Sequence, residues 1–196
     1  MYSTVRKIEF PKPTDLHINM MPIVFGDEES VPCKQYLELI ENCDFEKGST
    51  VYLTVKESIV EKNKTHRRKG IHTDATKIGS WGGPWGGKRG IYLTSNDGLC
   101  RLWNEETYNV DNHGSLLEKP KSKEIKCESN ILYWISDRTP HESLPANSSH
   151  YRQWFRLVGP DIFGWFEEHS TKNPFGVKPQ AKIIKTNKFN EVKQYA

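Results

Sequence analysis

Gly70-Ile71-His72-Thr73-Asp74 is a short run in which two metal ligands can share one face. Successive side chains alternate across a strand, so His72 and Asp74, two apart, point the same way if the run is extended. A second histidine, His141, lies 69 positions downstream of His72, just past the strand-like run Ile131-Leu132-Tyr133-Trp134-Ile135. Two imidazoles and one carboxylate on one face of an Fe(II) ion leave three coordination positions open, as an oxygenase needs for a cosubstrate and for O2. A thiolate-rich set would instead argue for structural zinc.

Eleven positions beyond His141 comes Arg152, in the strand-like run Tyr151-Arg152-Gln153-Trp154-Phe155-Arg156-Leu157-Val158. Arginine offers a planar, permanently charged fork that matches a carboxylate, so it can hold the far end of a dicarboxylate whose near end chelates the metal. Arg156 shares its parity and is the second candidate, with Arg152 preferred for its closer spacing to His141.

With these residues in place, the chain resembles the iron- and 2-oxoglutarate-dependent dioxygenases, most closely the prolyl hydroxylase-like branch. The stretch Trp134-Ile135-Ser136-Asp137-Arg138-Thr139-Pro140-His141-Glu142-Ser143-Leu144-Pro145-Ala146 is similar to that branch's pattern around its second histidine. Gly90-Ile91-Tyr92-Leu93-Thr94 is similar to its Y-L-N strand, which implies that Tyr92 helps to bind the 2-oxoglutarate carboxylate. The resemblance runs from about Arg67 to Val158. It implies Fe(II) held by His72, Asp74 and His141, 2-oxoglutarate clamped by Arg152 with Tyr92, and O2 as the second cosubstrate. The implied reaction couples oxidative decarboxylation of 2-oxoglutarate to hydroxylation of a C–H bond. Asp137 and Arg138 are candidates to orient His141 from behind, or else form a salt bridge within their own turn.

The elements that must position these groups are mostly strands. Val51, Leu53 and Val55 alternate with Tyr52, Thr54 and Lys56, and further strands are expected at 90–95, 99–103, 124–127, 131–135 and 151–158. Asn96-Asp97-Gly98 predicts a hairpin between the first two of these. Many short strands without intervening helices suggest a mainly β fold with flanking helices, closed or two-sheeted like a jelly roll. In the resembling family that fold is the double-stranded β-helix, cupin-like in outline. Ahead of the core, 5–10 reads as an edge strand or arm and 16–25 as an extended run broken at Pro22. Ser30 and Pro32 open a helix whose stripe of Tyr36, Leu37, Leu39, Ile40 and Cys43 would brace the sheet from outside. The tail at 161–170 reads as a short helix, and the chain from Lys178 is lysine-rich.

Between 78 and 90, glycines surround Trp81 and Trp85, which excludes a regular element and predicts a loop. Its tryptophans either wall the substrate as a lid or pin the loop to the core. The basic cluster at 62–69 is either a solvated loop or brings Arg67 or Arg68 to an anionic substrate at the site mouth.

A chain of 196 residues suits one domain, with a core at about 50–160, N-terminal strands and helix at 1–49 and an extension at 161–196. A net charge of +3, spread rather than striped, points away from nucleic acid. Cys33, Cys43, Cys100 and Cys127 lack C-x-x-C spacing, so zinc-ribbon and thioredoxin readings fall away. Neither a signal peptide nor a bilayer-spanning run is legible, and a soluble cytoplasmic protein is expected. The substrate is expected to be a small polar metabolite or amino acid, with a protein side chain second. The competing readings are a non-catalytic jelly roll that binds through its tryptophans and a cupin-like metal enzyme that uses no 2-oxoglutarate.

Overall fold

The computed structural model describes residues 1–75 and 90–185. The predicted loop with Trp81 and Trp85 therefore lies outside the described residues. Antiparallel β structure dominates, in eleven strands: β1 (Tyr2–Lys7), β2 (His17–Val24), β3 (Thr50–Val60), β4 (Ile91–Ser95), β5 (Cys100–Trp103), β6 (Glu124–Lys126), β7 (Ile131–Ile135), β8 (His141–Ser143), β9 (His150–Val158), β10 (Gly164–Phe166) and β11 (Lys182–Ile184). A six-stranded sheet has the order β1-β7-β4-β9-β3-β2, and a three-stranded sheet the order β6-β5-β8.

Alternation along the large sheet separates two apolar layers. Val51, Leu53, Val55, Tyr92, Phe155 and Leu157 face outward, where Tyr36, Leu39, Ile40 and Cys43 cover them. Tyr52, Ile91, Leu93, Tyr133 and Val158 face inward and meet Leu102 and Cys127 from the small sheet. The brace expected from the apolar stripe is thus present, but its helix is cut to α1 (Leu37–Glu41) behind two 3-10 turns. Ser30 does not cap it. Asp27 caps the first turn through Glu29 N–H, while the Ser30 hydroxyl is spent on Val24 and Asp27 carbonyls.

Pro22 does not break β2, because β2 is an edge strand and a residue without an N–H is tolerated there. Glu57 ties the N-terminal arm to the outward layer: its carboxylate accepts from Thr14 and Leu16 N–H, each at 2.8 Å, from Tyr36 OH at 2.6 Å and from Gln153 at 3.0 Å.

Two further expectations are corrected. The turn at Asn96-Asp97-Gly98 does not close a hairpin: β4 lies in the large sheet and β5 in the small one. A turn motif encodes a reversal of direction but not the sheet that the next strand joins. The tail at 161–170 is not a helix but β10 followed by a 3-10 turn, because β11 offers Gly164–Phe166 a parallel partner. Among the described residues, no helix is long and apolar enough to cross a membrane.

Candidate active site

The inward face of the large sheet and the small sheet enclose a cavity of about 130 Å³. His72, Asp74 and His141 all line it. His72 and Asp74 arrive there without the strand expected for them. His72 forms a one-residue bridge between Ser115 and His141, exchanging backbone hydrogen bonds with His141 at 3.0 and 2.9 Å. Backbone hydrogen bonds hold the next residues: Thr73 N–H donates to Gly114 at 2.8 Å and Ala75 N–H to Asp137 at 2.9 Å. Gly114 permits this through a φ of +79°, with its α-carbon against the Thr73 carbonyl where a side chain would collide.

Both imidazoles are oriented by carbonyl oxygens. His72 Nδ1 lies 2.7 Å from the Gly70 carbonyl and His141 Nδ1 3.0 Å from that of Thr139. A carbonyl only accepts, so each Nδ1 carries the proton and each Nε2 presents its lone pair. The ring centroids stand 4.5 Å apart. Burial, the neighbouring His141 and Arg68 hold His72 down to about 3, so it is neutral at ordinary pH. Asp74 stays ionised: burial opposes its charge, but the Arg156 guanidinium, aided by Arg67, outweighs it. Asp74 Oδ1 accepts from Arg156 Nη1 at 3.3 Å. Its Oδ2 is buried with no hydrogen-bond partner and lies 4.0 Å from His141 Nε2.

These groups were tested as metal ligands. Two ring nitrogens with free lone pairs and one carboxylate oxygen without a partner form a donor set suited to a divalent transition metal. The separation of 4.0 Å exceeds the roughly 3 Å between neighbouring ligands on a metal with bonds of about 2.1 Å. Accordingly, no three His, Cys, Asp or Glu side chains among the described residues form a ready-made metal cluster. Donor type and orientation fit a metal, and the spacing is that of a looser set.

The arginines divide differently from the expectation. Arg152 does not line the cavity; it is fully buried behind the wall, paired with Asp97 at 2.8 Å and donating to Ser95, Ser143 and Cys100. Arg156 lines the cavity instead, with its guanidinium between Asp74 and Met20 Sδ. The two share a face, but four residues on a strand separate them by about 13 Å, enough to put one behind the wall and the other in it.

Tyr92 is corrected as well. It stands in the outward layer, edge-on to Phe45 with ring centroids 5.2 Å apart. Its neighbour Leu93 faces the cavity. A one-residue offset moves a side chain to the opposite face of a sheet.

Arg68 lines the cavity, anchored on the His113 carbonyl at 2.6 Å and Ser115 Oγ at 2.7 Å. Arg138 does not buttress His141, because its guanidinium lies 4.0 Å over the Tyr108 ring. Asp137 contributes a backbone carbonyl to the Asp74 segment, and Thr139 takes the orienting role expected of its side chain. Trp154 is a cavity residue that sequence reasoning passed over, although its parity with Arg152 and Arg156 carried the signal. Trp165, Phe166 and His169 close another side; a strand where a helix was expected hid them. Comparison with protein-family models, with curated proteins and with solved structures finds no match.

Proposed function

We propose that this chain is an Fe(II)- and 2-oxoglutarate-dependent dioxygenase with a double-stranded β-helix fold, nearest in kind to the prolyl hydroxylase-like branch. One observation carries the reading: two carbonyl-oriented histidines and a buried, partly unpartnered carboxylate converge in a cavity that also holds a guanidinium. The path of the chain supports the fold. From β3 it passes to the His72 bridge beside β8, back to β4, across to β5 and β6, and then through β7, β8 and β9, alternating between the sheets. Such alternation is how a jelly roll winds.

His72 and His141 would hold iron through Nε2 and Asp74 through Oδ2. Held there, Fe(II) would supply the oxidising chemistry, with 2-oxoglutarate and O2 as cosubstrates, that would couple decarboxylation to succinate and CO2 with hydroxylation of a substrate C–H bond. The carbonyl contacts of Gly70 and Thr139 keep both imidazoles in the ligating tautomer. Arg156 replaces Arg152 as the group that receives the distal carboxylate, since it stands in the cavity beside Asp74. Leu93, Leu102 and Trp165 exclude water from the space between. A small polar metabolite or amino acid is the substrate class favoured by a cavity of this size, with a protein side chain second.

The test is anaerobic loading with Fe(II) followed by titration of 2-oxoglutarate. A weak visible charge-transfer band that is lost in His141→Ala supports the reading; failure of wild type to bind iron rejects it. The pairing of Arg156 with Asp74 favours a second reading, a cupin-like metal enzyme without 2-oxoglutarate, because that guanidinium already has a carboxylate. Iron binding without the band would select it.

A further inference from the structure

The cavity holds more positive charge than its own carboxylates balance. Arg101 is matched by Glu124 and Glu142, and Arg156 by Asp74. Arg68 is fixed on a carbonyl and a hydroxyl, neither of which carries charge. Arg67 stands apart from all of these. Its guanidinium carbon lies 4.3 Å from the centroid of the Trp154 ring, and among the described residues it has neither a hydrogen-bond nor an ion-pair partner. Burial and the nearby Arg156 push Arg67 down to about 9, against the opposing pull of Asp74.

Stacking on an indole fixes the plane of a guanidinium while leaving its N–H edge free to donate. Arg156 approaches the same ring, at 5.5 Å. Against the four guanidinium groups stand Asp74, Glu124 and Glu142, so one positive charge is left over among these residues; Asp111 acts on Arg68, and Arg67 is in no ion pair among the described residues. If Fe(II) and the 2-oxoglutarate dianion enter together, they cancel each other and leave this excess unchanged. A half-buried guanidinium at the cavity wall, with its N–H edge in no ion pair among the described residues, can take an anionic partner.

We infer that the primary substrate is a small carboxylic acid, whose carboxylate is received by the Arg67 edge stacked on Trp154 and whose apolar body lies toward Leu93, Trp165 and Phe166. The inference rests on the proposed function for the identity of the other occupants, but the charge argument stands without it. A carboxylate suits the site better than a phosphate: it matches one planar fork, whereas the ends of the Arg68 fork are already engaged.

The test is calorimetric titration of the full chain with hexanoate, hexanamide and inorganic phosphate. It is run anaerobically with Fe(II) and 2-oxoglutarate present, and again on the protein alone. The expected result is at least tenfold tighter binding of hexanoate than of its isosteric amide, falling to within about twofold in Arg67→Met. Arg67→Lys, which keeps the charge but not the planar fork, should retain part of the preference; its melting temperature, with that of Arg67→Met, establishes that both variants fold. Equal binding of acid and amide by wild type, a preference surviving in folded Arg67→Met, a stronger response to phosphate, or no binding of any probe would each overturn the inference. The charge-transfer band decides the proposed function separately: hexanoate preference without a band leaves the anion site standing, and a band without the preference leaves the oxygenase standing alone.

Discussion

At the scale of single residues, Asp74 carries the heaviest demands, since one oxygen serves Arg156 and the other has no hydrogen-bond partner. Asp74→Asn keeps the shape but removes the charge, and Fe(II) affinity measured by equilibrium dialysis should fall by well over about tenfold. The two arginines of β9 should separate cleanly. Arg156→Met should raise the 2-oxoglutarate concentration that half-develops the charge-transfer band by about tenfold. Arg152→Met should leave the band in place and cost about 3–5 kcal/mol in urea unfolding, because Asp97 loses its main counter-charge. If Arg152→Met is stable and loses the band instead, the reassignment to Arg156 is wrong.

At the scale of elements, the site depends on segments that are not themselves regular. The Thr73-Asp74-Ala75 run is held by Gly114 and Asp137 through backbone contacts, so its position is set by a loop. In Gly114→Ala the new methyl would meet the Thr73 carbonyl oxygen, and the left-handed φ adds strain. Iron affinity should drop more than stability does, a split that paired dialysis and urea unfolding would read. Gly90→Ala should act on the fold instead. At a φ of +57° its methyl would strike the Trp134 indole and stand 2.6 Å from the Ile135 carbonyl, and a loss of about 2–4 kcal/mol is expected from urea midpoints.

At the scale of the whole molecule, stability should depend on pH through buried histidines. His66 has its Nε2 2.8 Å from Ser58 Oγ, and burial, aided by Lys56, Arg152 and Arg67, holds it down to about 3. In the unfolded chain it takes its proton near the ordinary value of about 6.5. Between those values the unfolded state binds more protons, so stability falls as pH drops from about 6.5 toward 3. The slope from each such histidine is at most about 1.4 kcal/mol per pH unit. Urea midpoints at pH 7 and pH 5 should differ in wild type and differ less in His66→Gln. A difference that does not shrink would assign the acid sensitivity elsewhere.

The sequence determined the kinds of group present and the faces they occupy, because alternation along a strand is a local property. It therefore placed β3, β4, β7 and β9 and put Arg152 and Arg156 on a common face, whereas His72, Asp74 and His141 were candidates that a one-residue bridge, not the expected strand, brings to one cavity. It also foresaw the outside brace, since an apolar stripe must be buried whatever the length of helix that carries it. Depth and partnership were settled only by tertiary structure. Which arginine reaches the cavity depends on the register of β9 against β3 and β4, which is fixed by contacts distant in sequence. The same register turned Tyr92 outward and Leu93 inward. Sheet membership moved β5 away from β4, and β11 made a strand where 161–170 alone suggests a helix. The excess charge at Arg67 was equally invisible in the chain, where a basic cluster reads as a solvated loop until Trp154, from a strand far downstream, closes over it.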